Sequence, residues 1–205
     1  MAWAATIVGD IDGALRLALV SLEELRGQDE PYWTAVAFLT VGSYEKATGR
    51  YDDAQRDLGE AQAQAERFGY AWLATWSRVQ LGTLAVARGR LDQARALLDE
   101  ELAVSLAAYG TQNLTLSLAA FAQLALAEGD PERAALLAGM VDGLRRRAGL
   151  GVWPVIGREE ADLAAQIRQA LGAERFDEAS AAGARLSRRE AVAAARDQRT
   201  GTPES

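Results

Sequence analysis

The chain has 205 residues, 22 Lys plus Arg against 29 Asp plus Glu, and a formal net charge of −7. It contains no histidine and no cysteine, which excludes disulfides, thiolate nucleophiles, imidazole bases and zinc sites of the Cys/His kind. Alanine supplies 43 residues while Ile and Val together supply 15, a balance that predicts helices and not strands.

From the amino end, Ala2 to Val8 read as the close of a helix that would begin before Met1, and Gly9 as its corner. This reading expects a piece of a longer chain, cut within a repeat array. Gly9, Gly49, Gly89 and Gly129 then recur at intervals of 40, each followed five residues on by Ala14, Ala54, Ala94 or Ala134. The four junctions read GDIDGA, GRYDDA, GRLDQA and GDPERA, and Gly42, Gly82 and Ala122 stand seven residues before the later glycines.

Each recurrent residue has a physical reason. A glycine at a helix end allows the left-handed turn that any Cβ would oppose. Asp52, Asp53, Asp92 and Glu132 sit in the following first turn, where the positive helix end favours them. Asp130 suits a cap and Pro131 the first helical position. The alanine is small because two helices cross closely there. Tyr51, Ala54, Leu58, Ala61 and Ala65 form a stripe at helical steps, as do Leu91, Ala94, Leu98 and Leu102. Each unit is therefore two helices of about 15–17 residues joined by a tight turn, and units must stack to bury their stripes.

The pattern resembles the tetratricopeptide repeat, on Gly42, Gly82 and Ala122 in the first helix, the glycine before the turn, and Ala54, Ala94 and Ala134 in the second helix. Phe38, Tyr51 and Leu58 match its large apolar positions. The period is 40 where that family has 34, and Arg78 stands where an aromatic is usual. The resemblance covers residues 1–148 and implies an all-α, right-handed α-solenoid whose first helices line a concave face. On that implication the groove presents Val36, Leu39, Ser43 and Lys46, then Trp76, Val79 and Thr83, then Leu116, Ala119 and Gln123. Such a mixture suits a peptide, a protein module or a small-molecule effector.

After Gly149 the period fails. Residues 149–157 read as a Gly/Pro-rich connection, and Leu163, Ile167 and Leu171 mark an amphipathic helix over 158–171. A second helix follows over 173–183, and Ser187 with Glu190 has capping-box spacing before a third. These make a helical cap over 158–197, and 198–205 read as a disordered tail. Residues 134–197 resemble the end of the helical-repeat region in large actinobacterial ATPase-type regulators of the LuxR or MalT-like kind. That resemblance implies an NTPase module upstream and a helix-turn-helix downstream in a parent chain, with cyclase-bearing relatives.

Other chemistry finds little purchase. The only lysine, Lys46, stands in YEKATGR, which has no phosphate-loop glycines, and Gly149-Leu150-Gly151 lacks a preceding strand. Asp52/Asp53, Asp99/Glu100/Glu101 and Glu159/Glu160 are sequence neighbours that point apart on a helix, not a convergent catalytic pair. Arg145, Arg146 and Arg147 complement a helix end or form a docking patch for an acidic partner. Trp33, Trp72 and Trp76 serve either packing between units or a binding surface. A pI near 4.8 argues against nucleic-acid contact by this segment. No run approaches the roughly 18 apolar residues of a membrane span, and the absence of cysteine fits the cytoplasm. The expectation is a non-enzymatic binding segment without metal or cofactor; the alternative is a scaffold or homodimerising spacer between an NTPase and a DNA-binding module.

Overall fold

The structure, a computed structural model, describes residues 10–108, 110–152 and 154–196. The helix end and corner expected over 2–9 and the tail over 198–205 lie outside them. Among the described residues the chain is all-α, with no strand. Seven helices run in adjacent antiparallel succession: α1 (Ile11–Arg26), α2 (Pro31–Ala47), α3 (Tyr51–Arg67), α4 (Ala71–Ala87), α5 (Leu91–Ala108), α6 (Thr111–Ala127) and α7 (Pro131–Ala148). Three more follow: α8 (Pro154–Leu171), α9 (Ala173–Arg185) and α10 (Arg188–Arg196). The pairs α2/α3, α4/α5 and α6/α7 are the three repeat units, stacked as a helical-repeat solenoid.

The recurrent glycines sit at the corners. Gly49, Gly89 and Gly129 have φ of 77°, 70° and 82°. At each corner two amides turn back to close the helix: Gly49 and Arg50 donate to the carbonyls of Lys46 and Glu45 at 3.1 and 2.8 Å, and the other two corners repeat this pairing. Gly69 and Gly149 close α3 and α7 in the same way, with φ of 72° and 64°. Inside each hairpin the small residues do what crossing helices require. A Cβ on Gly42 would stand 2.7 Å from Leu58 Cγ, and one on Gly82 2.7 Å from Leu98 Cδ2. Ala14, Ala54, Ala94 and Ala134 are fully buried.

The carboxyl-terminal helices close the array differently from a continued repeat. Helix α9 lies directly on α7, backbone against backbone. A Cβ on Gly139 would meet the Ser180 carbonyl oxygen at 2.0 Å, one on Gly143 that of Ala184 at 2.2 Å, and one on Gly183 that of Leu136 at 2.0 Å. Arg147 ties the end of this pair by donating to the carbonyls of Ala184 and Leu186 at 2.6 and 2.7 Å. Helix α10 begins at the expected capping box, with the Ser187 amide donating to Glu190 Oε2 at 2.8 Å. Its end is held by Arg133, which donates to the Ala195 carbonyl at 2.7 Å.

Helix α8 corrects the sequence reading in extent. It starts at Pro154, so the connection expected over 149–157 is shorter and its last residues are helical. Proline suits a first helical turn, because its missing N–H has no partner there in any case. Leu163, Ile167 and Leu171 face the core as expected. The other side of α8 faces the first helices of the units, which makes it a wall of the site described next.

Candidate functional site

Two adjoining recesses lie between α8 and the face formed by α2, α4 and α6. They meet at Glu159, which lines both. The first, of about 380 Å³, is polar on two sides. Lys46 on α2 reaches across to α4, where its Nζ donates to Gln80 Oε1 at 2.6 Å and to Thr83 Oγ1 at 2.8 Å. Thr83 in turn donates to the Gln80 carbonyl at 3.0 Å. The cation is thus held by neutral acceptors. Opposite stand Glu159, Asp162 and Gln166 of α8, with Gln123 of α6 beside them.

The second recess, of about 410 Å³, falls within the range of small-molecule sites. Tyr32 and Trp33 come from the first turn of α2, Trp72 and Trp76 from the first half of α4, and Ile156 from α8. The aromatic rings brace one another edge to face: Trp72 and Trp76 at 5.1 Å between centroids, Tyr32 and Trp33 at 5.2 Å. Two aliphatic hydroxyls, Thr40 and Ser43, line the wall between them, beside the phenol of Tyr44. Thr40 Oγ1 donates to the Val36 carbonyl and Ser43 Oγ to the Leu39 carbonyl, both at 2.7 Å. Their hydrogens are spent on their own helix, and their lone pairs are left for the recess.

The structure brings together most of the residues singled out from sequence. Val36, Leu39, Ser43 and Trp76 line the aromatic recess; Lys46, Thr83 and Gln123 line the polar one. Val79 does not belong with them: it is buried and packs into the core between units. Leu116 is half-buried outside both recesses, near Arg145 and Ile156. Trp33 is 56% exposed, more than interior packing would leave, while Trp72 and Trp76 also pack against the core.

The arginine run divides. Arg145 is buried and grips Glu160 through two hydrogen bonds, the Nη2–Oε1 one at 2.8 Å, and Arg147 caps α9; Arg146 alone stays exposed without a described partner. Glu159 and Glu160 point apart as neighbours on a helix must, one into the groove and the other to Arg145. Sequence reasoning missed Tyr32, Gln80, Ile156 and Glu159 as groove residues. Pro154 followed by Glu159 was the available sign that α8 starts early enough to present them.

No protein family, curated protein or solved structure matches the chain. Among the described residues no helix is long and apolar enough to cross a membrane, and no cluster of acidic side chains is placed to hold a metal ion.

Proposed function

We propose that the chain is a non-enzymatic binding segment of a signal-transducing regulator, and that the groove between α8 and the first helices receives its effector or partner. One observation carries this reading. Helix α8 turns an open helical face into two adjoining recesses with aromatic, cationic and acidic walls, converging on Glu159. Pockets of this size, apolar with a few placed polar groups, are how proteins hold small ligands and short peptides. The forty-residue period supports kinship with tetratricopeptide repeats, and residues 134–197 support a parent of the LuxR or MalT-like kind. Binding would stiffen α8 against α2 and α4, and the event would pass to neighbouring NTPase and helix-turn-helix modules of that parent, in the cytoplasm.

A thermal-shift screen of metabolites and short peptides tests the reading. Compounds that raise the melting temperature of the wild-type chain are expected to lose that effect in the double variant Trp76→Ala/Lys46→Ala. Binders that stabilise both chains equally would place the site elsewhere.

A second reading, a spacer or self-associating segment, is favoured by Leu19 and Val20, exposed next to each other on α1. Light scattering at rising concentration tests it: a strict monomer throughout would rule out self-association.

A further inference from the structure

Building on the groove as a ligand site, we infer that its aromatic recess takes an organic cation: an alkylated ammonium on a small apolar body. Three features of the recess converge on positive charge. The first is its aromatic lining. Tyr32, Trp33, Trp72 and Trp76 line it, and the negative quadrupole of an aromatic ring attracts cations, that of tryptophan most strongly. The second is the half-buried carboxylate at its mouth. Glu159 makes no hydrogen bond or ion pair among the described residues, in contrast to its neighbour Glu160, which is held by Arg145. An acid that lines two recesses and is left uncompensated is the natural counter-charge for a bound amine.

The third is the direction of the nearby dipoles. The hydroxyls of Thr40 and Ser43 donate inward to Val36 and Leu39, so their oxygens turn acceptor lone pairs towards the cavity. The protein's own cation is meanwhile drawn away. Lys46 is bound by Gln80 and Thr83 in the adjoining recess and does not neutralise Glu159. An anion in the aromatic recess would meet the Glu159 carboxylate and the Thr40 and Ser43 lone pairs, with no cationic side chain among the described residues that line it. A neutral aromatic would bury its surface but leave Glu159 unsatisfied.

The test uses two probes of matched shape and opposite charge, (4-phenylbutyl)trimethylammonium and 5-phenylpentanoate, titrated into the full chain by calorimetry and tryptophan fluorescence. The ammonium is expected to bind at least about tenfold more tightly than the carboxylate. Glu159→Gln should weaken the ammonium about tenfold and leave the carboxylate no weaker. Trp33→Ala, at a half-exposed position where folding is safe, should weaken the ammonium several-fold. If both probes bind alike, or Glu159→Gln changes neither, the charge preference is overturned. Loss of both in Trp76→Ala would then show that the groove itself still binds. If neither probe binds at millimolar concentration the cation proposal falls, and the groove reading rests on the metabolite and peptide screen alone.

Discussion

Glu45 on α2 and Asp57 on α3 bury neighbouring carboxyl groups, 1% and 4% exposed, at a crossing where the other units place alanine and leucine. The equivalent pairs are Ala85 with Leu97 and Ala125 with Leu137. Arg56 Nε donates to Asp57 at 2.9 Å, whereas the guanidinium nearest Glu45, that of Arg50, stands 3.6 Å away. Burial, and then the charge of Asp57, push the Glu45 carboxyl up to about 7, with a smaller push from Asp53 and partial opposition from Arg50. The folded chain therefore holds this proton where the unfolded chain has released it.

Stability should respond with a definite sign. Between the ordinary value of 4.5 and about 7, the native state binds more protons than the unfolded one, so stability falls as pH rises through that window. Urea denaturation at pH 5 and pH 8 should show Glu45→Gln gaining about 2 kcal/mol on the wild type between the two conditions. An equal difference at both pH values would mean that Glu45 is not the titrating group.

Restoring the repeat's own residues is a separate test. Glu45→Ala with Asp57→Leu replaces two desolvated acids by the pair that packs in units two and three. Arg50 and Arg56 are 46% and 64% exposed at the side chain, so water can take over their charges. The double variant should be more stable at pH 8 by about 1–3 kcal/mol. Calorimetric melting checks it, and a fall in melting temperature would show that the acid pair contributes more than it costs in desolvation.

Glycines at different places in the same chain should give opposite signs. Gly143→Val would drive a side chain into the Ala184 carbonyl and separate α9 from α7, at a cost of about 3 kcal/mol or more. Gly59 lies inside α3 with open space around its Cβ position, so Gly59→Ala should stabilise by about 0.5–1 kcal/mol. Gly49, at φ 77°, should lose about 1 kcal/mol on the same change. Chemical denaturation orders the three. Hydrogen exchange should localise the Gly143→Val effect to α7 and α9.

The contrast among these glycines shows what was legible in the sequence. Gly49, Gly89 and Gly129 recur in register, and a residue that recurs every unit must serve something every unit has, here a corner. Gly69 turns the chain between units just as sharply, but one period on stands Tyr109, so no repeat flagged it. Gly139 and Gly143 look like ordinary small residues of a helix; their necessity exists only once the backbone of α9 is laid against them. The groove divides in the same way. Its α2 and α4 residues follow from helical spacing within the units. Its α8 wall depends on how a segment outside the period folds back, which no local pattern encodes. Val79 was misplaced for a related reason: helical spacing gives the face of α4 but not how deeply the neighbouring unit covers it.

Besides the core packing of Leu163, Ile167 and Leu171, one ion pair among the described residues joins that wall to the solenoid, Arg145 with Glu160, whose side chains are 8% and 23% exposed. Removing Arg145 alone leaves an acid near the core without its partner, and Arg145→Ala should cost about 3 kcal/mol. The same change frees the first half of α8, which carries Ile156 and Glu159 to the groove. Ligands found in the screen should therefore bind the variant more weakly than Val79→Ala, which trims the core but leaves the wall in place. Replacing the pair together, Arg145→Met with Glu160→Leu, keeps the packing without the charges. Much of the stability should return, since well-packed apolar side chains often replace a buried ion pair at little cost. If binding returns with it, α8 acts as a wall held by packing. Recovered stability without recovered binding would instead make the ion pair itself the device that sets the position of α8 over the groove.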